Sequence, residues 1–159
     1  MTDAKKDFWD RVEDVQAGML GLTSDGKLVP MSPNVRKAPD GNIWFIAAAG
    51  EDIVNDTADA AKDARFVVAD AKSGLYANIE GKLAHVNDKE VLDEIWNAVA
   101  SAWFEDDKQD PDIRLLCFTP DRSATWFTTT SGAKFFYEVA KANMTDTQPD
   151  TGYRADLTF

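Results

Sequence analysis

The stretch that most constrains the fold is residues 27–47, which read KLVPM, SPNVRKAPDG and NIWFIAA. Two runs rich in aliphatic, β-branched and aromatic residues flank a segment that holds two prolines and ends in Pro39-Asp40-Gly41. This pattern predicts a β-hairpin with a long connection. Pro30 has no N–H to donate to a neighbouring strand, so the first run is expected to be an edge or bulged strand. We expect these two strands to carry any ligand that the protein holds.

The rest of the chain predicts a meander of strands that forms an antiparallel barrel, a mainly β fold with flanking helices (α+β). In the longest strand, apolar residues alternate with polar ones, and Gly81 predicts a bulge or tight bend. The sequence Pro120-Asp121-Arg122 predicts a connection between the last two major strands. The predicted strands are 18–23, 27–31, 42–48, 65–70, 75–86, 113–119, 123–130 and 154–159, and the predicted helices are 3–18, 50–64, 87–102 and 132–143.

Two of these helices carry expectations about packing. An apolar stripe that includes Leu92 and Ile95 predicts that the helix at 87–102 is continuous and buried on one face. In the helix at 132–143, Phe135, Phe136 and Val139 are expected to face inward. Residues 144–159 are polar, and we expect them to be only partly ordered.

The length and charge of the chain narrow the class of protein. With 159 residues, of which 44% are hydrophobic and 28% charged, a single globular domain over residues 1–159 is expected. The net charge of −11 argues against nucleic acid and anionic membranes as partners, because binding to both depends on neutralising negative charge. One cysteine excludes an internal disulfide, and the N-terminal residues lack the apolar segment of a signal peptide. We therefore expect a cytoplasmic protein.

The residue types of common catalytic and metal sites are scarce. The chain has one histidine, His85, and one cysteine, Cys117, so it has neither a zinc-binding cluster nor a Cys-His pair. Cys117 lies in an apolar run and is predicted to be a buried, inert thiol. Neither a nucleophile elbow nor a P-loop motif occurs. These patterns predict no catalytic residue and no metal site.

Taken together, the short motifs of the chain resemble those of a known family. Val-Pro-Met at 29–31, the Asp40-Gly41 turn and Ile-Trp-Phe at 43–45 are similar to the general stress protein branch of the pyridoxamine 5′-phosphate oxidase-like flavin proteins. The resemblance implies a split β-barrel, a homodimer and FMN bound between the subunits. It extends from about residue 8 to residue 157 through further matches in order: Tyr76 to Gly81, Leu92 to Trp96, Trp103-Phe104, Asp110-Pro111, Leu115-Leu116 and Thr125-Trp126.

The resemblance also implies which residues contact the flavin. The first hairpin strand lays its main chain against the isoalloxazine ring, the facing strand lies opposite, and two aromatic residues approach from the other subunit. An aliphatic lining with some free backbone groups suits a flat, apolar ring with a polar edge. The residues at these positions are Val29, Pro30 and Met31 on the first strand, Phe45, Ile46 and Ala47 on the facing strand, and Tyr76 and Trp126 from the other subunit.

The chain departs from its family where the FMN phosphate binds. Family members have arginine where this chain has Val29, threonine where it has Ala47, and a serine and a lysine near Gly50-Glu51-Asp52-Ile53. Glu51 and Asp52 would each repel a phosphate by about 1 kcal/mol or more in a solvated site. The loss of two charge-assisted contacts costs about 3 kcal/mol or more, which corresponds to about a hundredfold in affinity. The cations that remain as replacements are Arg36, Lys37 and Lys62.

Two functions follow, and the residues leave both open. The first is a homodimeric, cytoplasmic general stress protein that binds FMN weakly and has a flavin-dependent oxidoreductase activity. The second is a non-catalytic member of the family that has lost the phosphate site and acts as a small-ligand-binding or stress-response protein. A true pyridoxamine 5′-phosphate oxidase activity is not expected, because its substrate also carries a phosphate and the sequence offers no second cationic cluster.

Overall fold

The structure is a computed structural model that describes residues 3–104, 106–148 and 150–159, with only the backbone at positions 98, 99 and 132. It is mostly antiparallel sheet with flanking helices, which confirms the predicted fold class. The strands are β1 (Gly18–Leu22), β2 (Val29–Met31), β3 (Ile43–Ala48), β4 (Lys62–Asp70), β5 (Leu75–Val86), β6 (Ile113–Thr128) and β7 (Gly152–Thr158). The helices are α1 (Asp3–Val12), α2 (Asp52–Asp56), α3 (Lys89–Ile95), α4 (Ala98–Ser101) and α5 (Gly132–Thr145), with a 3-10 helix at Asp107–Gln109.

The strands form a sheet whose two ends come together. They pair antiparallel in the order β2-β1-β4-β5-β6-β3, and β7 pairs with the second half of β6, beyond the part that pairs with β3. Asn34, which follows β2, exchanges backbone hydrogen bonds of 2.9 and 2.8 Å with Trp44 in β3. The hairpin predicted from residues 27–47 therefore joins the two ends of the sheet.

The interior of the sheet is filled by aromatic and aliphatic side chains. Alternate residues of β5 from Leu75 to Leu83 are buried, as the period-2 pattern predicts. Phe45 and Phe66 pack edge to face with their ring centroids 5.0 Å apart. Phe8 on α1 is fully buried against this core. Burial of each such large apolar side chain contributes about 1.5–3 kcal/mol.

Helix α1 is fixed to the sheet by one arginine as well as by apolar packing. The guanidinium of Arg11 donates to the backbone carbonyl oxygens of Ser73, Gly74 and Thr128 at 3.3, 3.0 and 2.8 Å. It also lies 5.3 Å from the centroid of the Phe127 ring. Arg11 thus connects α1 to the β4–β5 turn and to the end of β6.

The prediction of a connection at residues 120–122 is wrong, because β6 runs without a break from Ile113 to Thr128. The register between β5 and β6 shifts at Glu80 and Gly81, so the bulge predicted at Gly81 is confirmed, and it places Pro120 opposite Gly81. A β-carbon at Gly81 would lie 2.2 Å from the carbonyl oxygen of Thr119. A strand can pass through a proline at a bulge, where its missing N–H breaks no regular pair.

Two predicted helices are shorter in the structure. The helix expected at 87–102 is interrupted, because Trp96 is extended and the side chain of Asn97 accepts a hydrogen bond of 2.9 Å from the N–H of Ala100, which caps α4. The helix expected at 50–64 ends at Asp56. There the hydroxyl of Thr57 donates to the carbonyls of the preceding turn, and β4 begins at Lys62.

The inward orientation expected for two aromatic residues of α5 is wrong in the single chain. Phe135 is 46% exposed and Phe136 is 72% exposed, whereas Val139 is half-buried. Among the described residues α1 packs on β5 and β7, whereas α5 makes few contacts with any other element. The following strand, β7, starts at Gly152, two residues earlier than predicted, and pairs with β6 up to Thr158. Among the described residues, none of the helices is long and apolar enough to span a membrane.

Candidate functional site

A cavity of about 400 Å³ lies between the hairpin of residues 27–47 and the segment that contains α4. Its volume is in the range of small-molecule sites, and most of its lining is apolar. The lining residues are Ala17, Pro30, Met31, Ser32, Asn34, Ile46, Ala47, Ala48 and Glu51 on the side of the strands, and Asn97, Ala100, Trp103 and Phe104 on the side of α4.

The strand wall of the cavity follows from the way in which the hairpin closes the sheet. In β2, Pro30 is opposite Met19 and Met31 is opposite Gly18, so this short strand is held by β1 alone within the ladder. The side chain of Asn34 donates to the carbonyl oxygen of Trp44 at 3.2 Å, which adds to their backbone pairing. These bonds place the Pro30-Met31 main chain beside β3, as the position of Pro30 on an edge strand predicts.

The opposite wall is positioned by polar contacts of a few side chains. The indole N–H of Trp96 donates to Asp107 at 2.7 Å, and the hydroxyl of Ser101 donates to the same carboxylate oxygen at 3.1 Å. The rings of Trp96 and Phe104 are 5.9 Å apart. Asp107 therefore fixes Trp96 and Ser101, and its bond to Ser101 closes the loop that carries Trp103 and Phe104. Trp103 remains 81% exposed, so it forms the outer rim.

The electrostatic character of the cavity is set by one carboxylate. Among the described residues that line it, Glu51 is the only one with a charged side chain. Glu51 is exposed at the N-cap position of α2, and its side chain makes no capping hydrogen bond. Arg36, which was a candidate cation for a phosphate, instead pairs with Glu94 on α3 at 3.3 Å. The cavity therefore disfavours an anionic group and favours a neutral or cationic one.

The residues predicted from the resemblance fall into two groups. Pro30, Met31, Ile46 and Ala47 line the cavity. Val29 and Phe45 lie on the same two strands but do not line the cavity. Val29 is exposed on the edge strand, and Phe45 is fully buried in the core. The remaining two, Tyr76 and Trp126, lie directly opposite each other on β5 and β6.

The second group does not line the cavity of its own chain. The cavity adjoins Ala48, which pairs with Ile113 at the start of β6, whereas Trp126 lies near the end of that strand. If the two groups share one site, as the resemblance implies, a second copy of the chain would supply Tyr76 and Trp126.

Sequence reasoning missed one charged residue beside this second group. Arg154 on β7 lies directly opposite Trp126, and its guanidinium carbon is 5.2 Å from the centroid of the indole ring. A strand beginning at Arg154 was predicted, but its partner and register were not. The sequence offered only an arginine in a predicted strand, and such an arginine by itself does not indicate a ligand.

Cys117 was predicted to be buried and inert, and it is half-buried on β6. Its burial raises the pKa of the thiol to about 11, so the thiol stays protonated at neutral pH. His85 lies half-buried on β5, opposite Leu116. Neither of these residues lines the cavity described above.

The fold and the cavity together define a split-barrel protein with an apolar site on its first hairpin. The sequence profile described as pyridoxamine 5′-phosphate oxidase like matches residues 3–150. The chain belongs to this family, within its general stress protein branch. The profile ends before β7, so Arg154 lies outside the matched segment. None of the curated proteins matches the chain.

Solved structures support this assignment. A general stress protein 26 from Jannaschia sp. CCS1 is 47% identical, with all of both chains covered and a TM-score of 0.94. The general stress FMN/FAD binding protein from Xanthomonas citri is 26% identical over 82% of this chain and 93% of its own, with a TM-score of 0.71. A general stress family protein from Xanthomonas campestris pv. campestris is 29% identical over the same shares of the two chains, with a TM-score of 0.69.

Proposed function

We propose that this protein binds a flavin through its ring, in the cavity between β2, β3 and α4, and that it holds the FMN phosphate weakly. The observation that carries the proposal is an apolar cavity lined by Pro30, Met31, Ile46 and Ala47, with Glu51 as the sole charged side chain among its described lining residues. The similar protein from Xanthomonas citri is named as FMN/FAD binding, which supports a flavin as the ligand class.

The ring and the phosphate place different demands on the site. A flat aromatic ring gains from burial against Pro30, Met31 and the aromatic rim at Trp103 and Phe104. A phosphate carries nearly two negative charges and is usually held by arginine, lysine or hydroxyl donors. Those cations are absent from the described lining, and Glu51 adds a repulsive charge. The chain therefore fits the ring better than the phosphate.

A homodimer is part of the proposal, because the family resemblance assigns Tyr76 and Trp126 to the flavin site from a second copy of the chain. Trp126 is 44% exposed in the single chain, so it is free to contact a partner. When bound, the flavin would supply electron or hydride transfer, which is the basis of the proposed oxidoreductase activity. The side chains of the cavity would bind and orient the ring and exclude water from one of its faces. A pyridoxamine 5′-phosphate oxidase reaction is not proposed, because its substrate adds a second phosphate.

The proposal is tested by titrating the purified protein with riboflavin and FMN in parallel and following the quenching of flavin fluorescence. We expect both to bind, with riboflavin at least as tight as FMN. A sharper test fills the cavity, since Ala48→Trp places an indole where the ring would lie. This variant should lose both flavins. Ala38→Trp adds the same side chain in the exposed hairpin connection and should bind as the original protein does.

Three outcomes would contradict the proposal. Failure of both flavins to bind would remove the ligand class altogether. An FMN affinity more than about tenfold above that of riboflavin, or about 1.4 kcal/mol, would show that a phosphate site exists. Equal loss of binding in the Ala38→Trp and Ala48→Trp variants would show that the effect does not come from the cavity.

A second function remains a candidate because of Glu51. If the carboxylate excludes phosphorylated flavins from the cavity, the protein would act as a non-catalytic binding or stress-response protein for a neutral small ligand. The same titration separates the two functions. The second function requires that the protein be isolated without flavin and show no detectable binding of FMN.

A further inference from the structure

Two of the polar side chains that line the cavity are engaged with the protein itself. The amide nitrogen of Asn34 donates to the carbonyl oxygens of Ser32 and Trp44 at 3.3 and 3.2 Å. The side chain of Asn97 donates to the carbonyl oxygen of Ile95 at 3.4 Å and accepts the 2.9 Å bond that caps α4. These two asparagines hold the walls of the cavity, so they are less available to a ligand.

Glu51 differs from them because its carboxylate has no partner among the described residues. It forms neither an ion pair nor a side-chain hydrogen bond with them, and it is exposed. The described part of the lining contains no lysine or arginine that would neutralise it. An uncompensated carboxylate in a largely apolar lining favours a ligand that carries a positive charge. The net charge of −11 also draws cations to the surface of the protein.

The aromatic side chains of the opposite wall favour the same class of ligand. Trp103 and Phe104 line the cavity, and Trp103 is 81% exposed, so most of its indole is free of protein contacts. The face of an aromatic ring attracts cations, most strongly in tryptophan, and quaternary ammonium groups are commonly bound in this way. The cavity therefore combines an unpaired negative charge with aromatic and aliphatic surface in a volume of about 400 Å³.

We propose that this cavity binds an organic cation, with its ammonium group beside Glu51 and its carbon body against Trp103 and Phe104. The ligand class is a small amine or quaternary ammonium compound with an apolar body, which a cavity of this volume can hold. An inorganic cation such as Ca²⁺ is not proposed, because it takes about six or more oxygen ligands and the described lining offers one carboxylate. The inference goes beyond flavin binding and does not require it, since it depends on the charge and the rings of one chain.

The test measures the binding of benzyltrimethylammonium to the flavin-free protein by calorimetric titration, with benzyl alcohol as the neutral comparison and phenylacetate as the anionic one. We expect the cation to bind more tightly than either. In Glu51→Gln the affinity for the cation should fall about fourfold, the effect of one unit charge about 5 Å away in a solvated setting. Benzyl alcohol should bind this variant and the original protein alike. Trp103→Leu should weaken the cation about twofold to fivefold.

Both variants have matched controls in the same chain. Glu13→Gln removes an exposed carboxylate just after α1, outside the cavity, and Phe136→Leu removes an exposed aromatic ring on α5. Each should bind the cation as the original protein does. Glu51 and Trp103 are themselves exposed, so their variants should keep the original unfolding midpoint.

The outcomes separate this inference from the proposed function. Failure of the cation to bind, or equal affinity for the cation and benzyl alcohol, overturns the cation site, whereas flavin binding stands or falls by its own titration. Equal effects of Glu51→Gln and Glu13→Gln overturn the role of Glu51 and the inference with it. Binding that survives in Ala48→Trp places the cation outside the cavity and also overturns the inference. A protein that binds the cation in the cavity and binds neither flavin retains this inference and loses the proposed function.

Discussion

Reversal of the charge at Glu51 should convert a site that disfavours the FMN phosphate into one that favours it. Glu51 is the sole charged side chain among the described residues that line the cavity, and it is exposed to solvent. In a solvated setting two unit charges about 5 Å apart interact by about 0.8 kcal/mol. A phosphate with nearly two charges therefore loses about 1.5 kcal/mol from the repulsion.

The expected effects follow directly from this estimate. Glu51→Gln removes the repulsion and should tighten FMN about tenfold, and Glu51→Lys replaces it with attraction and should tighten FMN up to about a hundredfold. Riboflavin carries no phosphate, so its affinity should change by less than about twofold. The measurement is a fluorescence titration of both flavins at low salt, repeated at high salt, where screening should reduce the gain.

A control variant isolates the effect of position from that of net charge. Glu13→Lys changes the net charge of −11 by the same amount at an exposed position just after α1, and it should leave the affinity for FMN unchanged. The reasoning is refuted if Glu51→Lys and Glu13→Lys improve FMN binding equally, or if riboflavin and FMN respond alike to Glu51→Lys.

Three further predictions concern stability, measured by urea unfolding and by thermal unfolding. Gly81→Ala should cost about 2 kcal/mol or more and lower Tm by about 4–8 °C, because the new β-carbon would lie 2.2 Å from the Thr119 carbonyl oxygen. Arg11→Met should cost about 3 kcal/mol, because it leaves three backbone carbonyls without their charged donor. Hydrogen bonds from Arg122 and a second arginine lower the pKa of Glu80, so its stabilising effect is present above the ordinary pKa of 4.5 and is lost as pH falls through the lowered value. Glu80→Gln should therefore cost most stability near neutral pH and least at pH values below the lowered pKa.

Each of these predictions has a control in the same chain. Gly26→Ala meets open space at a backbone φ of +67° and should cost about 1 kcal/mol, less than Gly81→Ala. Lys6→Met removes an exposed ion pair with Asp10 and should cost far less stability than Arg11→Met. A Glu80→Gln effect that does not diminish on acidification would contradict the assigned cause, as would equal losses in the paired glycine or cation variants.

The parts of the fold that could be predicted from the sequence are those that local patterns determine. The strand from Leu75 to Val86 has the predicted bounds because apolar and polar residues alternate along it, and the bulge at Gly81 follows from the absence of a side chain. Pro30 was expected on an edge strand because it lacks a donor, and it lies in β2 at the end of the sheet order. These are properties of single residues and of their immediate neighbours.

The errors have a common cause in contacts between distant parts of the chain. Pro120 is tolerated within β6 because Gly81 lies opposite, and a reading of residues 113–130 alone cannot include that fact. The exposure of Phe136 depends on where α5 lies relative to the sheet, which the residues of α5 alone do not determine. The contact of Arg154 with Trp126 depends on the register of β7. Of the candidate site, the strand residues followed from the hairpin pattern and the family resemblance, whereas the helical wall and Arg154 required the structure.

The length of β6 links the two halves of the proposed site. Its first half pairs with β3 beside the cavity, and its second half pairs with β7 and carries Trp126. The bulge at Gly81 and Pro120 lies between these halves, and a bulge bends a strand and increases its twist. This irregularity therefore bends β6 between the cavity and Trp126. In the proposed homodimer both parts of β6 belong to the site, so the geometry at Gly81 would constrain how two copies dock.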